Sequence, residues 1–223
     1  MTRRFRDRRD AGRRLAASLA GLAGTPNLVV LGLPRGGVPV AAEVAAALGA
    51  PLDVCVVRKL GVPGHEELAM GAIASGGARV LNEELVRDLG LPAAAVEAVE
   101  ARERDELARR ERRFRGDWPP PDLRGATVLL VDDGLATGST MRAAALAVRQ
   151  AGAARVVGAV PVGAASVCEE MREAVDEMRC LVAPEQFQAV GMWYDDFRPT
   201  ADADVHDALA DAARPRGTRP PDA

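Results

Sequence analysis

The chain has 223 residues, 48% apolar and 27% charged, enough to bury one large core or one core with an appendage. Its net charge of −3, from 29 lysines and arginines against 32 acids, does not suit a general nucleic-acid binder, so nucleic acid is not an expected partner. No apolar run reaches the roughly 18–20 residues of a membrane span, and the basic opening MTRRFRDRRDAGRRLA lacks the apolar stretch of a secretory signal, so a cytoplasmic protein with no membrane partner is expected.

In chain order, residues 1–26 read as an N-terminal helical segment. NLVVLGL, 27–33, is a short apolar strand, followed by PRGG and a helix that places Val40, Val44 and Leu48 on one face. LDVCVVRKL reads as a second strand. Residues 61–78 carry five glycines and no clear period, so they read as a long mobile loop, at most with a short ribbon. A charged helix is expected over 93–115, with Glu100–Arg104, Asp105–Arg109 and Glu106–Arg110 at i,i+4 spacing, packed along one side and solvated on the other. GDWPPPDLRG is a stiff connector. ATVLLVDD is a third strand, with a helix from Ser139 to Ala151 behind it. ARVVGAVPV, the helical AASVCEEMREAV and MRCLVA complete the alternation. Strands that are apolar throughout and separated by helices predict an α/β fold with a parallel sheet covered on both faces, over residues 27–183. A C-terminal helix within 184–213 and a disordered tail over 214–223 are expected to follow.

The three cysteines are widely spaced. Cys55 and Cys180 lie in apolar runs and read as small buried hydrophobes. Neither His65 nor His206 has zinc-site spacing.

The segment richest in chemistry is VLLVDDGLATGST, 128–140. In a parallel sheet, ligands collect beyond the carboxyl ends of the strands. Here an apolar strand delivers Asp132 and Asp133. Gly134, Ala136, Thr137, Gly138, Ser139 and Thr140 then lead into a helix. Small residues let backbone N–H groups approach an anion, the hydroxyls add donors, and a helix N-terminus supplies positive dipole. The two carboxylates suit hydroxyls, a cation, or both, and the combination describes a sugar phosphate. A Walker A loop is excluded by the glycine spacing and the missing lysine.

This segment resembles the PRPP-binding motif of the type I phosphoribosyltransferases, departing mainly at Gly134, where the family usually has an aliphatic residue. The resemblance implies that Asp132 and Asp133 hold the ribose hydroxyls, directly or through Mg²⁺, and that residues 136–140 wrap the 5-phosphate. LGLPRGG resembles the family's pyrophosphate loop, which implies that Arg35 and the Gly36 and Gly37 amides face the diphosphate. It also implies a cis peptide between Pro34 and Arg35. VVRKLGVPG resembles the strand end of adenine-type members, where an Arg–Lys pair precedes the mobile catalytic loop. Lys59 is the chain's only lysine, and as a compact, flexible ammonium it suits a diphosphate on which charge builds, with Arg58 offering a planar fork. The chain as a whole resembles the bacterial proteins described as predicted phosphoribosyltransferases.

The resemblance implies transfer of phosphoribosyl from PRPP to a nitrogenous acceptor, with a nucleobase and hence nucleotide salvage foremost. Magnesium is the implied cofactor, PRPP and a small-molecule acceptor are the implied partners, and a homo-oligomer is expected. His65, Glu66 and Glu67 in the 61–78 lid are candidates to reach the site on closure, against a reading as solvated loop residues. FQAVGMWYDDFR is similar to the hood of 6-oxopurine enzymes, which makes Phe187, Trp193 and Asp195 candidate acceptor-base contacts. A hydrophobic plug is the equal alternative, and Ala136 matches adenine- and uracil-type members instead. The other functional reading is a PRPP-sensing regulator without turnover. A relative of PRPP synthase is disfavoured because no ATP-binding element is recognisable.

Overall fold

The computed structural model describes residues 4–213; the tail expected over 214–223 lies outside the described residues. Five parallel strands form the central sheet: β1 (Leu28–Gly32), β2 (Leu52–Val54), β6 (Thr127–Val131), β7 (Arg155–Val162) and β8 (Glu177–Val182), in the order β2-β1-β6-β7-β8. The central strands are buried over nearly their whole length, which is why they read as continuous apolar runs. One face is covered by α1 (Arg8–Ser18) and α2 (Gly37–Leu48), which bury Leu15, Val40 and Val44 against Val30, Leu129 and Val157. The other is covered by α5 (Ser139–Gln150) and α6 (Ala165–Glu170), with Met141 and Val148 packed on Val128 and Val156.

The run LDVCVVRKL is not one strand. It breaks at Cys55 and Val56, both buried, so that β2 pairs with β1 while β3 (Val57–Val62) leaves for a second sheet. That sheet is antiparallel and contains β3, β4 (His65–Ala74) and β5 (Arg79–Leu81). The 61–78 segment is therefore mostly ordered ribbon and not loop. Two of its glycines are there for close packing: a Cβ on Gly61 would lie 2.7 Å from Glu66 O, and one on Gly71 2.3 Å from Val80 O.

After α3 (Glu83–Asp88) comes the charged helix α4 (Ala93–Arg115), which buries Val96, Val99, Leu107 and Phe114 against the ribbon and α7 (Asp202–Ala213). The expected Glu100–Arg104 and Glu106–Arg110 pairs form, but Arg109 pairs with Glu106 instead of Asp105. Across elements, α4 is held by Arg58–Glu103 at 2.5 Å, Arg79–Glu100 at 2.7 Å and the buried Arg115–Asp53 at 3.0 Å.

Cys180 is not a simple buried hydrophobe: it is disulfide-bonded to Cys168 and joins α6 to β8. Cys55 is a free, buried thiol, as read, and burial pushes its pKa up to about 12. No helix among the described residues is long and apolar enough to cross a membrane.

Candidate functional site

The carboxyl ends of β1 and β6 bring two loops together. Residues 33–37 turn from β1 into α2 with the Pro34–Arg35 peptide in the cis form. Leu33 N donates to Val131 O at 2.9 Å, which ties this loop to the end of β6. The loop lies so close to the acid pair that only glycine fits. A Cβ on Gly36 would lie 2.0 Å from Asp133 Oδ2, and one on Gly37 would lie 2.7 Å from Val131 O. Arg35 points outward, its side chain 55% exposed.

Burial, with the charge of Asp133 as second cause, pushes the Asp132 carboxyl well above the usual carboxylate range. Burial likewise raises Asp133, with Arg8 opposing the shift. Asp132 Oδ1 accepts the Asp133 backbone N–H at 2.8 Å. Asp133 Oδ2 accepts from Arg8 Nε at 2.8 Å. After the acids, Leu135 pairs with Gly163 and is buried, so the loop is pinned at its middle. Gly138 then opens α5 in the left-handed conformation at φ 71°, as its N-cap. Ala136, Thr137 and Thr140 are exposed around this turn and Ser139 is half-buried. Thr137 and Ser139 hydroxyls lie 3.2 Å apart. A left-handed glycine at the helix start, adjacent hydroxyls and small residues, with Thr137 and Thr140 exposed on either side, together leave room for an oxyanion.

The departure at Gly134 has a packing cause. A Cβ there would lie 2.4 Å from Val190 Cγ1, so the C-terminal segment fills the space an aliphatic side chain would take. That segment reaches the site through Tyr194, which is buried and donates its hydroxyl to Asp133 O at 2.5 Å. Burial pushes the Tyr194 phenol far up, so it stays a donor. Tyr194 packs on Phe5 and Phe197, with ring centroids 5.5 and 5.0 Å away, and the Arg8 guanidinium lies 3.9 Å over the Phe197 ring.

Of the predicted site residues, Asp132, Asp133, Gly36, Gly37 and residues 136–140 lie at adjoining strand ends. Arg58 and Lys59 face opposite sides of β3, as neighbours on a strand must. Arg58 is bound to Glu103, whereas Lys59 is exposed and has no ion-pair partner among the described residues. His65, Glu66 and Glu67 are exposed near the ribbon tip, and no hydrogen bond or ion pair joins them to the acids among the described residues. Phe187 and Trp193 are partly buried against the Phe5–Tyr194 cluster, an arrangement that matches the plug reading, and Asp195 is exposed. Sequence reasoning missed Arg8. The one available signal was the basic run RRFRDRR, which says nothing about a partner so far along the chain.

A family model described as phosphoribosyl transferase domain matches residues 5–196. Two proteins of Mycobacterium tuberculosis, named "Putative phosphoribosyl transferase MT0597" (strain CDC 1551 / Oshkosh) and "Putative phosphoribosyl transferase Rv0571c" (strain ATCC 25618 / H37Rv), are each 52% identical over 201 residues. The match covers 90% of this chain and 45% of theirs, so the chain spans about half the length of these curated relatives. Among solved structures, TT1426 from Thermus thermophilus is 46% identical, with a TM-score of 0.84 over 95% of this chain and 100% of its own. The matched span takes in both the Arg8 and Tyr194 ends of the site and every strand of the sheet, and the chain belongs to the type I phosphoribosyl transferase domain family.

Proposed function

We propose that the protein transfers the 5-phosphoribosyl group of PRPP to a nitrogenous acceptor, a nucleobase, and releases pyrophosphate. The observation that carries this reading is the Asp132–Asp133 pair, its carboxyls both raised by burial, set between a glycine loop and the hydroxyl-bearing start of α5. Residues 136–140 bind the 5-phosphate through backbone N–H groups and hydroxyls. Asp132 and Asp133 accept from the ribose hydroxyls. Arg35, the Gly36 amide and Lys59 hold the diphosphate, while the Gly37 amide, expected to face it too, instead closes the loop on Leu33 O at 3.0 Å. The acceptor nitrogen forms the bond to C1 as the C1–O bond breaks. The electron pair leaves with the diphosphate, and the acceptor nitrogen's proton passes to solvent. Tyr194 and Arg8 fix Asp133 in place from the side of the C-terminal segment.

Two adjacent dehydrated carboxylates favour a cation, and two are too few for a closed metal cage, a donor set that suits Mg²⁺ shared with substrate oxygens. No group of three or more His, Cys, Asp or Glu side chains positioned for a metal occurs among the described residues. When bound, Mg²⁺ would be held by Asp132 and Asp133 and would neutralise charge on PRPP.

The deciding experiment is pyrophosphate release from PRPP and Mg²⁺ against a panel of nucleobases and other nitrogenous acceptors. Turnover with one base establishes the transferase. Saturable PRPP binding with no turnover against any acceptor selects the PRPP-sensing regulator.

A further inference from the structure

Beyond the glycine loop lies a cleft whose outer wall comes from α4, which none of the phosphoribosyl motifs includes. Its volume is about 610 Å³, and it runs between Arg35, Thr140 at the first turn of α5, and the arginine-rich face of α4. That size is within the ~300–1,000 Å³ usual for small-molecule sites. Four guanidinium groups line it, those of Arg35, Arg109, Arg110 and Arg113, against the two carboxylates of Glu106 and Asp202, which leaves a surplus of two positive charges.

One of those carboxylates already shows where an oxyanion fits. Asp202 Oδ2 lies 2.7 Å from Arg113 Nε on α4, and Asp202 Oδ1 lies 3.5 Å from Arg35 Nη1 on the glycine loop. A single two-oxygen anion thus spans both walls. The outer wall is also fixed in position. The Arg58–Glu103, Arg79–Glu100 and Arg115–Asp53 pairs and the buried Phe114 ring hold α4 in register, so Arg109 and Arg113 are presented from a rigid element.

We propose that this cleft is an oxyanion subsite in which Arg109 and Arg113 of α4 bind the distal phosphate of a diphosphate held at the glycine loop. Asp202 keeps Arg35 and Arg113 facing each other until that phosphate arrives. The proposal rests on the PRPP-dependent reading above and adds residues that neutralise the leaving group. As the C1–O bond breaks, its electron pair passes to the diphosphate oxygen. The guanidinium groups stay protonated throughout and act only by charge and hydrogen bonding.

The test is calorimetric titration of the full chain with inorganic pyrophosphate in Mg²⁺ and, separately, with ribose 5-phosphate, which engages only the phosphate loop and the acid pair. In the Arg109→Ala/Arg113→Ala variant, pyrophosphate affinity is expected to fall about tenfold or more, with ribose 5-phosphate affinity held within about twofold. Asp202→Asn, which removes the carboxylate that competes for Arg35 and Arg113 and leaves Glu106 on Arg109, is expected to bind pyrophosphate several-fold more tightly. Unchanged pyrophosphate affinity in the double variant overturns the subsite and leaves the PRPP reading standing. A wild-type protein that binds neither ligand overturns both. Should the double variant fail to fold, Asp202→Asn decides alone, and pyrophosphate binding no tighter than wild type overturns the proposal.

Discussion

Arg8 Nε and Asp133 Oδ2 meet at 2.8 Å across 125 residues of chain, with only 12% and 15% of their side chains exposed. The first helix therefore supplies the counter-charge of the acid pair before any ligand is present. Removing Arg8 leaves Asp133 dehydrated and unpaired. Arg8→Ala should lower unfolding free energy by about 1–3 kcal/mol, read from thermal or urea denaturation. Because the guanidinium and Mg²⁺ compete for one carboxylate, PRPP with Mg²⁺ should raise the melting temperature of Arg8→Ala by more than it raises that of wild type. A smaller rise in the variant would mean that Arg8 holds the ligand and does not compete with it.

Asp132 gives a pH signature. Its folded pKa is raised above the ordinary carboxylate value, chiefly by burial. Between those two values the native state keeps a proton that the unfolded chain has lost, so this group's contribution to stability falls as pH rises through the window and is constant above it. Asp132→Asn abolishes that loss. The variant should be more stable than wild type by about 1–2 kcal/mol near pH 8, converge on it below about pH 4, and lose PRPP binding. Equal stability at both pH values would contradict the dehydrated carboxylate.

The Arg58–Lys59 pair should divide between folding and ligand. Lys59→Ala and Lys59→Arg should each weaken PRPP use by roughly tenfold to a hundredfold, with little change in melting temperature. Arg58→Ala should do the opposite, because it strips Glu103, which is 8% exposed, of its shorter pair at 2.5 Å and leaves only Arg102 at 3.3 Å. Denaturation curves beside PRPP titrations of the three variants separate the cases. A Lys59→Arg protein that binds PRPP like wild type would remove the lysine from the diphosphate site.

The ribbon gives a graded prediction for hydrogen exchange. Gly71, Ala72 and Ile73 of β4 pair with β3 on one side and β5 on the other, and their amides should be protected with or without ligand. His65 to Ala69 lie at the exposed tip beyond the register shifts and should exchange quickly, then slow when PRPP and Mg²⁺ bind. A tip already protected in the free protein would exclude closure.

The parallel core and the two glycine-bearing loops were legible because local chemistry dictates them. Val128 to Val131 must be apolar on both faces, and Asp132 and Asp133 must follow directly where the strand ends. The break at Cys55–Val56 was not legible. An apolar run looks the same whether it pairs with β1 or with β4, and only the partner differs. Gly61 and Gly71 were read as freedom when they mark crowding, since a residue type reports a missing side chain and not what occupies the space. The Cys168–Cys180 bond and the Arg8–Asp133 pair lie beyond reach for a related reason: both join residues whose neighbourhood is set by the completed sheet. Gly134 was visible as a departure, yet its explanation, Val190, sits in a segment with no periodic pattern.

Phe5 and Tyr194 form a parallel bridge, with Phe5 N donating to Trp193 O at 2.9 Å and Asp195 N to Phe5 O at 2.8 Å. The segment before α1 is thus sewn to a strip that follows every strand of the central sheet in the sequence. During translation α1 leaves the ribosome with its basic face bare, and the seat for Arg8 and Phe5 is completed only after nearly all of the sheet has emerged. Contacts of such long sequence separation form late, because loop closure must precede them. A nascent chain can hold the whole parallel core and still lack a finished site, so competence arrives only when the strip around Tyr194 meets Phe5 and Arg8.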